Sequence, residues 1–406
     1  MVSMKIFFYI FLFFYYACVF AITDTSFSNE PFPLLPKQNT SATVPPPPPL
    51  EAKGAILIDA FSGKTLMATQ ANTRLEPASL TKMMTAYLAS DALAQGRLHL
   101  DDKVYVSEKA WHAGGSKMFL KVGDSVSVRD LLQGIIVQSG NDASIAIAEH
   151  LTGSEEAFVQ LMNHEAKQLG MTQTHFTNCT GMPNPDHYSS PRDLALLSRA
   201  IIFNYPYDYK LYSQKWFSFN SIKQPNRNRL LWHDEAVDGI KTGHTDTAGF
   251  CLAASAMRNN MRLIAVVMGE PSDKSRMQDT QKLLNYGFHF YETKPIFTAF
   301  TPLEQARIWL GKEKTLPVGV TQTVYVTVPA GQFKNIQTKL ELADNLHAPI
   351  NKNQVVGNIR ITLNNETVLL QPAIALKDDP RANIFTRIHD HTHLALQKLF
   401  NKKAAT

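Results

Sequence analysis

The sequence predicts a mixed α/β domain followed by a small all-β domain. Two apolar runs, residues 249–257 and 261–268, are separated by a short polar segment, which predicts a hairpin of buried strands. Apolar residues recur at helical spacing after Pro77, which predicts an amphipathic helix. Beyond about Thr293 the pattern changes to short alternating strands. A chain of 406 residues exceeds what one hydrophobic core usually organises, so its length agrees with two domains.

The N-terminus has the pattern of an export signal. Lys5 precedes an uncharged stretch over residues 6–20, and the small residue Ala21 ends it, so residues 1–21 are predicted to be a signal peptide. The alternative is an uncleaved membrane anchor, although the run is shorter than the roughly 20 residues that span a bilayer. Residues 22–50 are predicted to form a spacer, because the prolines at 45–49 favour an extended conformation.

Composition narrows the classes of function. The formal net charge is +5, from 40 basic and 35 acidic residues, which is too mild to indicate a nucleic-acid-binding protein. After removal of the leader only Cys179 and Cys251 remain, and neither lies in a CxxC or CxxH motif. No disulfide framework, zinc site or redox motif is therefore predicted, and both thiols are expected to be structural.

The first domain, residues 51–292, is predicted to mix strands and helices. Ser127 followed by Asp130 has the form of a capping box and predicts the start of a helix. Gly134 lies inside that helix, which indicates close packing against a neighbour. The remaining predicted elements are strands at 55–60 and 65–68, a helix from Pro77 to Gly96, helices from Asp142 and over 274–286, and the hairpin at 249–268.

The second domain, residues 296–380, is predicted to be all β. Residues 323–328 and 336–342 alternate between apolar and polar, and a further pair of strands flanks the Asn364-Asn365 turn. A helix over residues 382–402 is predicted to follow, with an apolar face and basic residues available for the other side, and such a helix fits contact with an anionic membrane. The alternative is that it packs on the protein.

Three histidines in this last helix raise the question of a metal site. His389 and His393 lie one helical turn apart, with His391 between them. A single exposed pair of imidazoles without an acidic or cysteine partner is a poor metal site, so no metal is predicted.

Three short motifs carry the predicted chemistry. Ser79 and Lys82 are three residues apart, which on a helix places the hydroxyl and the amine on one face. This spacing alone occurs in many proteins. Ser139-Gly140-Asn141 lies 60 residues after Ser79, and Lys241-Thr242-Gly243 lies another 102 residues on, just before a predicted strand. The order and spacing of the three motifs together indicate an active-site serine enzyme.

In these motifs the sequence resembles the penicillin-binding proteins and serine β-lactamases, whose sites are assembled from Ser-x-x-Lys, Ser-x-Asn and Lys-Thr-Gly elements. It is most similar to the low-molecular-mass D-alanyl-D-alanine carboxypeptidases. The resemblance covers about residues 50–380 and implies an antiparallel sheet flanked by helices, as in β-lactamases and transpeptidases, before the β domain. The segments that carry it are residues 77–84, 138–143, 189–193, 226–232, 238–246 and 352–357.

The resemblance implies a role for each motif residue. Ser79 is expected to be the nucleophile and Lys82 its general base, with the lysine uncharged through burial and neighbouring positive charge. Ser139 is expected to relay a proton to the leaving D-alanine, and Asn141 to hydrogen-bond the substrate amide. Lys241 is expected to set the electrostatic field near both hydroxyls.

The resemblance also implies how substrate is held. The backbone N–H groups of Ser79 and His244, next to Gly243, are expected to form the oxyanion hole. Thr242 and Arg227 are expected to bind the terminal carboxylate of the substrate. For Arg227 the alternative is a loop arginine in a surface salt bridge.

Two other features near the motifs are expected to be structural. Asp193 is expected to cap a helix, because no carboxylate is needed to orient the base when lysine fills that role. Residues 181–187 depart from the family's usual sequence in a surface loop, and the loop is expected not to touch the catalytic groups.

Partners and location follow from the resemblance as expectations. The substrate is a peptidoglycan stem peptide, β-lactams acylate Ser79, and no cofactor is required. The protein is expected to be exported to the periplasm and associated with the outer face of the bacterial inner membrane, through peripheral contact by the C-terminal helix.

Four other functions remain open. A β-lactamase would acylate in the same way, but no glutamate between Asp142 and Ile240 has an asparagine four residues later, as class A enzymes require. A D,D-endopeptidase or a transpeptidase would share all the motif residues. A non-catalytic wall-binding scaffold would keep the fold, but the intact motifs argue against it.

Overall fold

The computed structural model describes residues 44–404, with side chains to residue 396. The predicted signal peptide and residues 22–43 of the predicted spacer lie outside the described residues. Within the described range the predicted fold class is confirmed: an antiparallel sheet packed between helices is followed by an all-β domain. The strands are β1 (Gly54–Asp59), β2 (Thr65–Thr69), β3 (Lys103–Tyr105), β4 (Ser125–Ser127), β5 (Trp216–Phe219), β6 (Ile222–Pro225), β7 (Val237–Thr245), β8 (Gly249–Arg258), β9 (Met261–Glu270), β10 (Tyr291–Phe297), β11 (Glu304–Arg307), β12 (Thr315–Gly319), β13 (Val324–Pro329), β14 (Ile336–Leu342), β15 (Val355–Leu363) and β16 (Glu366–Ala375).

The helices differ from the predicted ones mainly at their ends. The helix after Pro77 begins at Lys82, because Ala78 has a left-handed φ of 46° and residues 78–81 form a 3₁₀ turn instead. The helix from Ser127 continues as a π-helical turn, Gly134–Gln138. The α-helices are α1 (Lys82–Ala94), α2 (Glu108–His112), α3 (Val128–Gln133), α4 (Asn141–Thr152), α5 (Glu155–Gln168), α6 (Pro191–Asn204), α7 (Pro206–Tyr209), α8 (Leu230–His233), α9 (Asp273–Phe290) and α10 (Ile384–Ala404); short 3₁₀ turns are Ala78–Thr81, Lys210–Ser213 and Phe333–Asn335.

The main sheet has the order β2-β1-β9-β8-β7, with every pair antiparallel. Its central strands are buried on both faces, so they are continuously apolar rather than alternating. Ile56 and Ile58 pack with α1, α4 and α6 on one face, whereas Leu57 packs with α9 on the other. Strand β7 lies at the edge of the sheet, which leaves one side of its backbone free to face the cleft.

The C-terminal domain has its own core. Strands β11-β12-β16-β15-β14 form a sheet, and β10 pairs with β13. Val318, Val326 and Ile361 are among the buried side chains between these strands. The turn at Asn364 and Asn365 joins β15 to β16, and both residues have positive φ, as a tight hairpin turn requires.

Polar contacts join the two domains. The buried carboxylate of Asp59 accepts hydrogen bonds from Ser62 and from Thr293 Oγ1. Lys64 Nζ donates to Thr327 O, and the rings of Phe61 and Tyr325 stack at 4.7 Å between centroids. The turn between β1 and β2 is therefore bonded directly to β10 and β13.

Part of the predicted spacer packs on the first domain. Val44 and Leu50 lie against the core that contains α9, and Tyr286 Oη donates a hydrogen bond of 2.9 Å to Pro45 O. Glu51 N donates to the carboxylate of Asp279 on the same helix. Residues 44–50 thus form a strap along α9.

The C-terminal helix is attached through its second and third turns and exposed along one side. The carboxylate of Asp390 accepts a hydrogen bond from Leu310 N, and Leu394 is buried. Ile384, Phe385 and Ile388 are exposed. Among the helices of residues 44–404, none is long and apolar enough to cross a membrane.

Candidate active site

The structure brings Ser79 and Lys82 into contact. Ser79 lies in the 3₁₀ turn that leads into α1, and Lys82 is the first residue of that helix. Lys82 Nζ lies 3.0 Å from Ser79 Oγ and donates a second hydrogen bond, of 2.6 Å, to Thr180 O. The hydroxyl and the amine are within the distance at which a proton passes from one to the other.

The environment of Lys82 favours the uncharged amine. Its side chain is only 1% exposed. Burial, the largest effect, lowers the pKa of Lys82 to about 7, and the positive charge of Arg227 acts in the same direction against opposing effects from Cys179 and Asp142. Near neutral pH a large fraction of Lys82 is therefore free to accept a proton.

Ser139 directly follows the π-helical turn, and Asn141 is the first residue of α4. Ser139 has a left-handed φ of 67°, and its buried Oγ has no hydrogen-bond partner within the part of the chain that the structure describes. Asn141 Nδ2 donates a 2.6 Å hydrogen bond to Gly114 O and lies 3.7 Å from Met182 Sδ. The unpartnered Ser139 hydroxyl remains available to a bound molecule.

Lys241 and Thr242 lie on the edge strand β7, which contacts the 3₁₀ turn of Ser79. Both side chains are buried, and Lys241 Nζ donates to Thr242 O at 3.0 Å. Burial lowers the pKa of Lys241 well below its usual value, and the charges of Lys82, Arg227 and Arg276 add to this effect. The two lysines and Arg227 thus share one cleft.

Gly243 allows β7 to approach the nucleophile closely. A Cβ atom at this position would lie 2.8 Å from Pro77 O and 3.1 Å from Ser79 N, so only glycine fits without movement of the backbone. Arg276 Nη1 donates to Gly243 O at 3.2 Å from the opposite side. Because the C=O and N–H of one trans peptide point in opposite directions, the N–H of His244 faces away from Arg276.

Arg227 follows β6 in a loop fixed by backbone contacts. Asn226 N donates to Lys215 O, and Asn228 Nδ2 donates to Gly239 O at the start of β7. Arg227 is exposed, and its guanidinium makes no ion pair with the side chains of residues 44–396. Desolvation at the cleft lowers its pKa. Within the described side chains, Arg227 therefore does not form the surface salt bridge that was the alternative role for this residue.

Comparisons with known proteins agree with this geometry. The family model for D-alanyl-D-alanine carboxypeptidase matches residues 39–272, and the model for the C-terminal domain of penicillin-binding protein 5 matches residues 291–381. The chain belongs to the D-alanyl-D-alanine carboxypeptidase family.

Three relatives illustrate the extent of the similarity. D-alanyl-D-alanine carboxypeptidase DacC of Escherichia coli is 43% identical, over 87% of this chain and 90% of its own length. Penicillin-binding protein 5 of Haemophilus influenzae, 42% identical, superposes with a TM-score of 0.80 over 83% of this chain and 100% of the other. Penicillin-binding protein D2 of Listeria monocytogenes, in its ampicillin-bound form, is 30% identical with a TM-score of 0.56, over 60% of this chain and 100% of the other.

The expectation that residues 181–187 lie clear of the catalytic groups is wrong. Met182 contacts Asn141, and a Cβ at Gly181 would lie 1.8 Å from Ala78 O. Asn178 Oδ1 holds this loop by accepting hydrogen bonds from the N–H groups of Thr180, Gly181 and Met182. The loop carries the Thr180 carbonyl that binds Lys82, so in this member of the family it forms a wall of the site.

His187 completes this wall. Its Nδ1 accepts a hydrogen bond from Thr177 N, so the proton is on Nε2, which donates to Thr81 Oγ1 at 2.7 Å. Thr81 Oγ1 in turn donates to Ala78 O at 2.8 Å. Burial lowers the pKa of His187 to about 4, so the imidazole is neutral at physiological pH. Sequence patterns alone could not pair His187 with Thr81, since 106 residues separate them.

Asp142 was also missed by the sequence analysis. Its buried carboxylate accepts hydrogen bonds from Met118 N and Leu120 N, which fixes the loop that supplies Gly114 O to Asn141. The predicted close packing of Gly134 is confirmed, because a Cβ there would lie 2.4 Å from Met118 Sδ. A buried aspartate directly after the Ser-x-Asn motif is the signal that would have indicated such a role.

The remaining candidates have structural roles. Ser190, not Asp193, is the N-cap of α6; the Asp193 carboxylate instead accepts hydrogen bonds from Gln173 N and Thr174 Oγ1. Cys179 and Cys251 are free and buried. No group of acidic, histidine or cysteine side chains in the described part of the chain has the arrangement of a metal site.

Proposed function

We propose that this protein is a serine-type D-alanyl-D-alanine carboxypeptidase that removes the terminal D-alanine from peptidoglycan stem peptides through an acyl-enzyme on Ser79. The observation that carries the proposal is the 3.0 Å contact between Ser79 Oγ and a buried Lys82 whose pKa is about 7. A lysine in this state takes the serine proton without help from a histidine and carboxylate. Such an enzyme acts in cell-wall biogenesis and remodelling.

In the proposed reaction Ser79 Oγ attacks the carbonyl carbon of the penultimate D-alanine while Lys82 accepts its proton. The developing oxyanion is bound by the N–H groups of Ser79 and His244. Ser139 then passes a proton to the nitrogen of the leaving D-alanine, and the peptide bond breaks. Ser139 is reprotonated by Lys82, which thereby becomes neutral again. Water then attacks the ester while Lys82 accepts one of its protons and passes it to Ser79 Oγ, and the stem peptide leaves one residue shorter.

The substrate carboxylate is proposed to bind between Arg227 and Thr242. Arg227 forms no ion pair with the side chains of residues 44–396, and its guanidinium offers a two-pronged donor for a carboxylate. Asn141 is proposed to hydrogen-bond the substrate amide, with Gly243 leaving room for the chain. A carboxylate site of this kind fits a substrate that ends in a free carboxyl group, as the stem pentapeptide does.

β-Lactams are proposed to acylate Ser79 at the same site. The Listeria relative binds ampicillin, and a second structure of it contains cefotaxime. A β-lactam carboxylate resembles the substrate carboxylate, so Arg227 and Thr242 are proposed to bind both.

The location of the protein is a further proposal. An exported, periplasmic protein at the outer face of the inner membrane accords with the predicted leader and with the exposed apolar side chains of Ile384, Phe385 and Ile388 on α10. Truncation after Asp379 is expected to release the protein from the membrane fraction. Retention of the truncated protein in that fraction would refute the role of the helix.

Mass spectrometry with benzylpenicillin distinguishes the candidate functions. We expect the protein without residues 1–21 to form a long-lived penicilloyl adduct, which Ser79→Ala abolishes. Rapid loss of the adduct would indicate a β-lactamase instead. A stable adduct without release of D-alanine from a pentapeptide would indicate an endopeptidase, a transpeptidase or a scaffold.

A further inference from the structure

A basic, aromatic surface adjoins the proposed carboxylate site. The 24 residues from Tyr209 to Trp232 include five lysines or arginines and no aspartate or glutamate. Two tryptophans in this stretch are exposed, Trp216 by 50% and Trp232 by 40%. Large exposed aromatic side chains within a region of one charge sign are typical of binding surfaces.

The tryptophans and a lysine are in mutual contact. The rings of Trp216 and Trp232 meet edge to face at 6.1 Å between centroids. Lys223 Nζ lies 4.7 Å from the centre of the Trp216 ring. Lys215 and Lys223 form no ion pair with the side chains of residues 44–396, so their charges are available to an anion. We call Lys215, Trp216, Lys223 and Trp232 the indole patch.

The indole patch is bonded to the walls of the cleft. Lys215 O accepts the hydrogen bond from Asn226 N, one residue before Arg227. Gln224 Nε2 donates to Lys117 O in the loop whose Gly114 carbonyl binds Asn141. Strands β5 and β6 also contact the π-helical turn that leads into Ser139. The patch is therefore a rigid extension of the site.

The patch offers more binding groups than one stem-peptide end can fill. The proposed reaction needs a single cation, Arg227, for the terminal carboxylate. Two indole rings and two further lysines then remain for other parts of the substrate. Indole rings stack on the apolar faces of sugars, and lysines attract carboxylates of neighbouring peptides.

We infer that the indole patch binds polymeric peptidoglycan, with Trp216 and Trp232 against the glycan strand and Lys215 and Lys223 near carboxylates of its stem peptides. This inference rests on the proposed function, since it assigns the patch to the polymer that carries the substrate. It predicts that the patch affects activity on cell walls and not on a soluble peptide.

The test compares intact sacculi with a soluble pentapeptide. We expect Trp216→Ala/Lys223→Gln, in the Ser79→Ala protein, to bind purified sacculi at least about tenfold more weakly at moderate salt. With Ser79 present, the same double variant is expected to release D-alanine more slowly from sacculi, while kcat/KM for the pentapeptide stays within about twofold. The matched control is Lys103→Gln/Tyr105→Ala on β3, where a lysine and a 67% exposed tyrosine also lie on a short two-stranded antiparallel sheet.

Three results would overturn the inference. The first is unchanged binding of the double variant to sacculi, and the second is an equal loss of its activity on sacculi and on the soluble pentapeptide. The third is a loss of binding to vesicles of phosphatidylglycerol as large as the loss of binding to sacculi. The last would show a general attraction to anionic surfaces. Failure of the proposed function is seen separately, as wild-type protein that releases no D-alanine from the pentapeptide.

Discussion

His187 Nε2 lies 2.7 Å from Thr81 Oγ1, and this contact connects the 177–187 loop to the turn that carries the nucleophile. Thr81 Oγ1 in turn donates a hydrogen bond to the carbonyl oxygen of Ala78, a residue whose φ is 46°. A non-glycine residue in this conformation needs support from its surroundings. The relay from His187 through Thr81 to Ala78 supplies that support directly before Ser79.

Loss of this relay is expected to slow acylation. Thr81→Val keeps the side-chain shape and removes the hydroxyl, and His187→Phe keeps a ring and removes both nitrogens. Each is expected to lower kcat about tenfold and to destabilise the fold by about 1 kcal/mol. If the pair acts as a unit, the double variant is no slower than either single variant. Additive losses in kcat would contradict the relay, and near-normal activity of His187→Gln would support it.

The pKa of Lys82 sets the pH dependence of acylation. Only the neutral amine accepts the Ser79 proton, and the pKa of Lys82 is about 7 instead of 10.5. The rate constant for acylation by benzylpenicillin is expected to fall tenfold per pH unit below about 7 and to level off above it. Stopped-flow measurements between pH 5 and 9 test this, with circular dichroism showing that the protein stays folded. A rate that still rises steeply at pH 9 would contradict it.

Gly181 is expected to be intolerant of a side chain for two reasons. Its φ is +85°, and a Cβ would lie 1.8 Å from Ala78 O. Gly153 is the matched control, since its φ is +83° and nothing lies within 4 Å of its Cβ position. Gly153→Ala is expected to lower the free energy of unfolding by about 1 kcal/mol. Gly181→Ala is expected to lower it by roughly 3 kcal/mol or more and to reduce acylation, as measured by urea unfolding and penicillin binding. Equal losses of unfolding free energy in Gly153→Ala and Gly181→Ala would show that the close approach of Gly181 to Ala78 O is unimportant.

Arg276 is expected to affect the transition state more than substrate binding. It donates to Gly243 O, the carbonyl of the peptide whose N–H is proposed to bind the oxyanion. Arg276→Met is expected to lower kcat about tenfold with little change in KM, because the oxyanion forms only during the reaction. Arg258→Met, which removes an arginine paired with Asp234, is the control. An unchanged kcat would contradict this role.

Local patterns predicted the parts of the site that lie within short segments. The three-residue spacing of Ser79 and Lys82 predicted that the two side chains lie together, and they are in contact. The fold class followed from the buried hairpin β8–β9 and the alternating strands of the C-terminal domain. Each of these features depends on residues that are close together in the sequence, so a local pattern is enough to predict it.

Contacts between distant segments had no such signal. The second hydrogen-bond partner of Lys82 is the backbone carbonyl of Thr180. Every residue has such a carbonyl, so no sequence pattern distinguishes this one. Arg276 reaches Gly243 O from α9, and His187 reaches Thr81 from a loop 106 residues further along the chain. The loop at 181–187 was expected to be peripheral, although the side chain of His187 bonds to Thr81 in the nucleophile turn.

The role of Ser79 is tested most directly by the release of D-alanine from a pentapeptide ending in D-Ala-D-Ala, by wild-type protein and by Ser79→Ala. We expect one equivalent of D-alanine per peptide with wild type and none above background with Ser79→Ala. Lys82→Met is expected to behave like Ser79→Ala. Release of D-alanine at the wild-type rate by Ser79→Ala would contradict the assignment of Ser79 as nucleophile and, with it, the proposed mechanism.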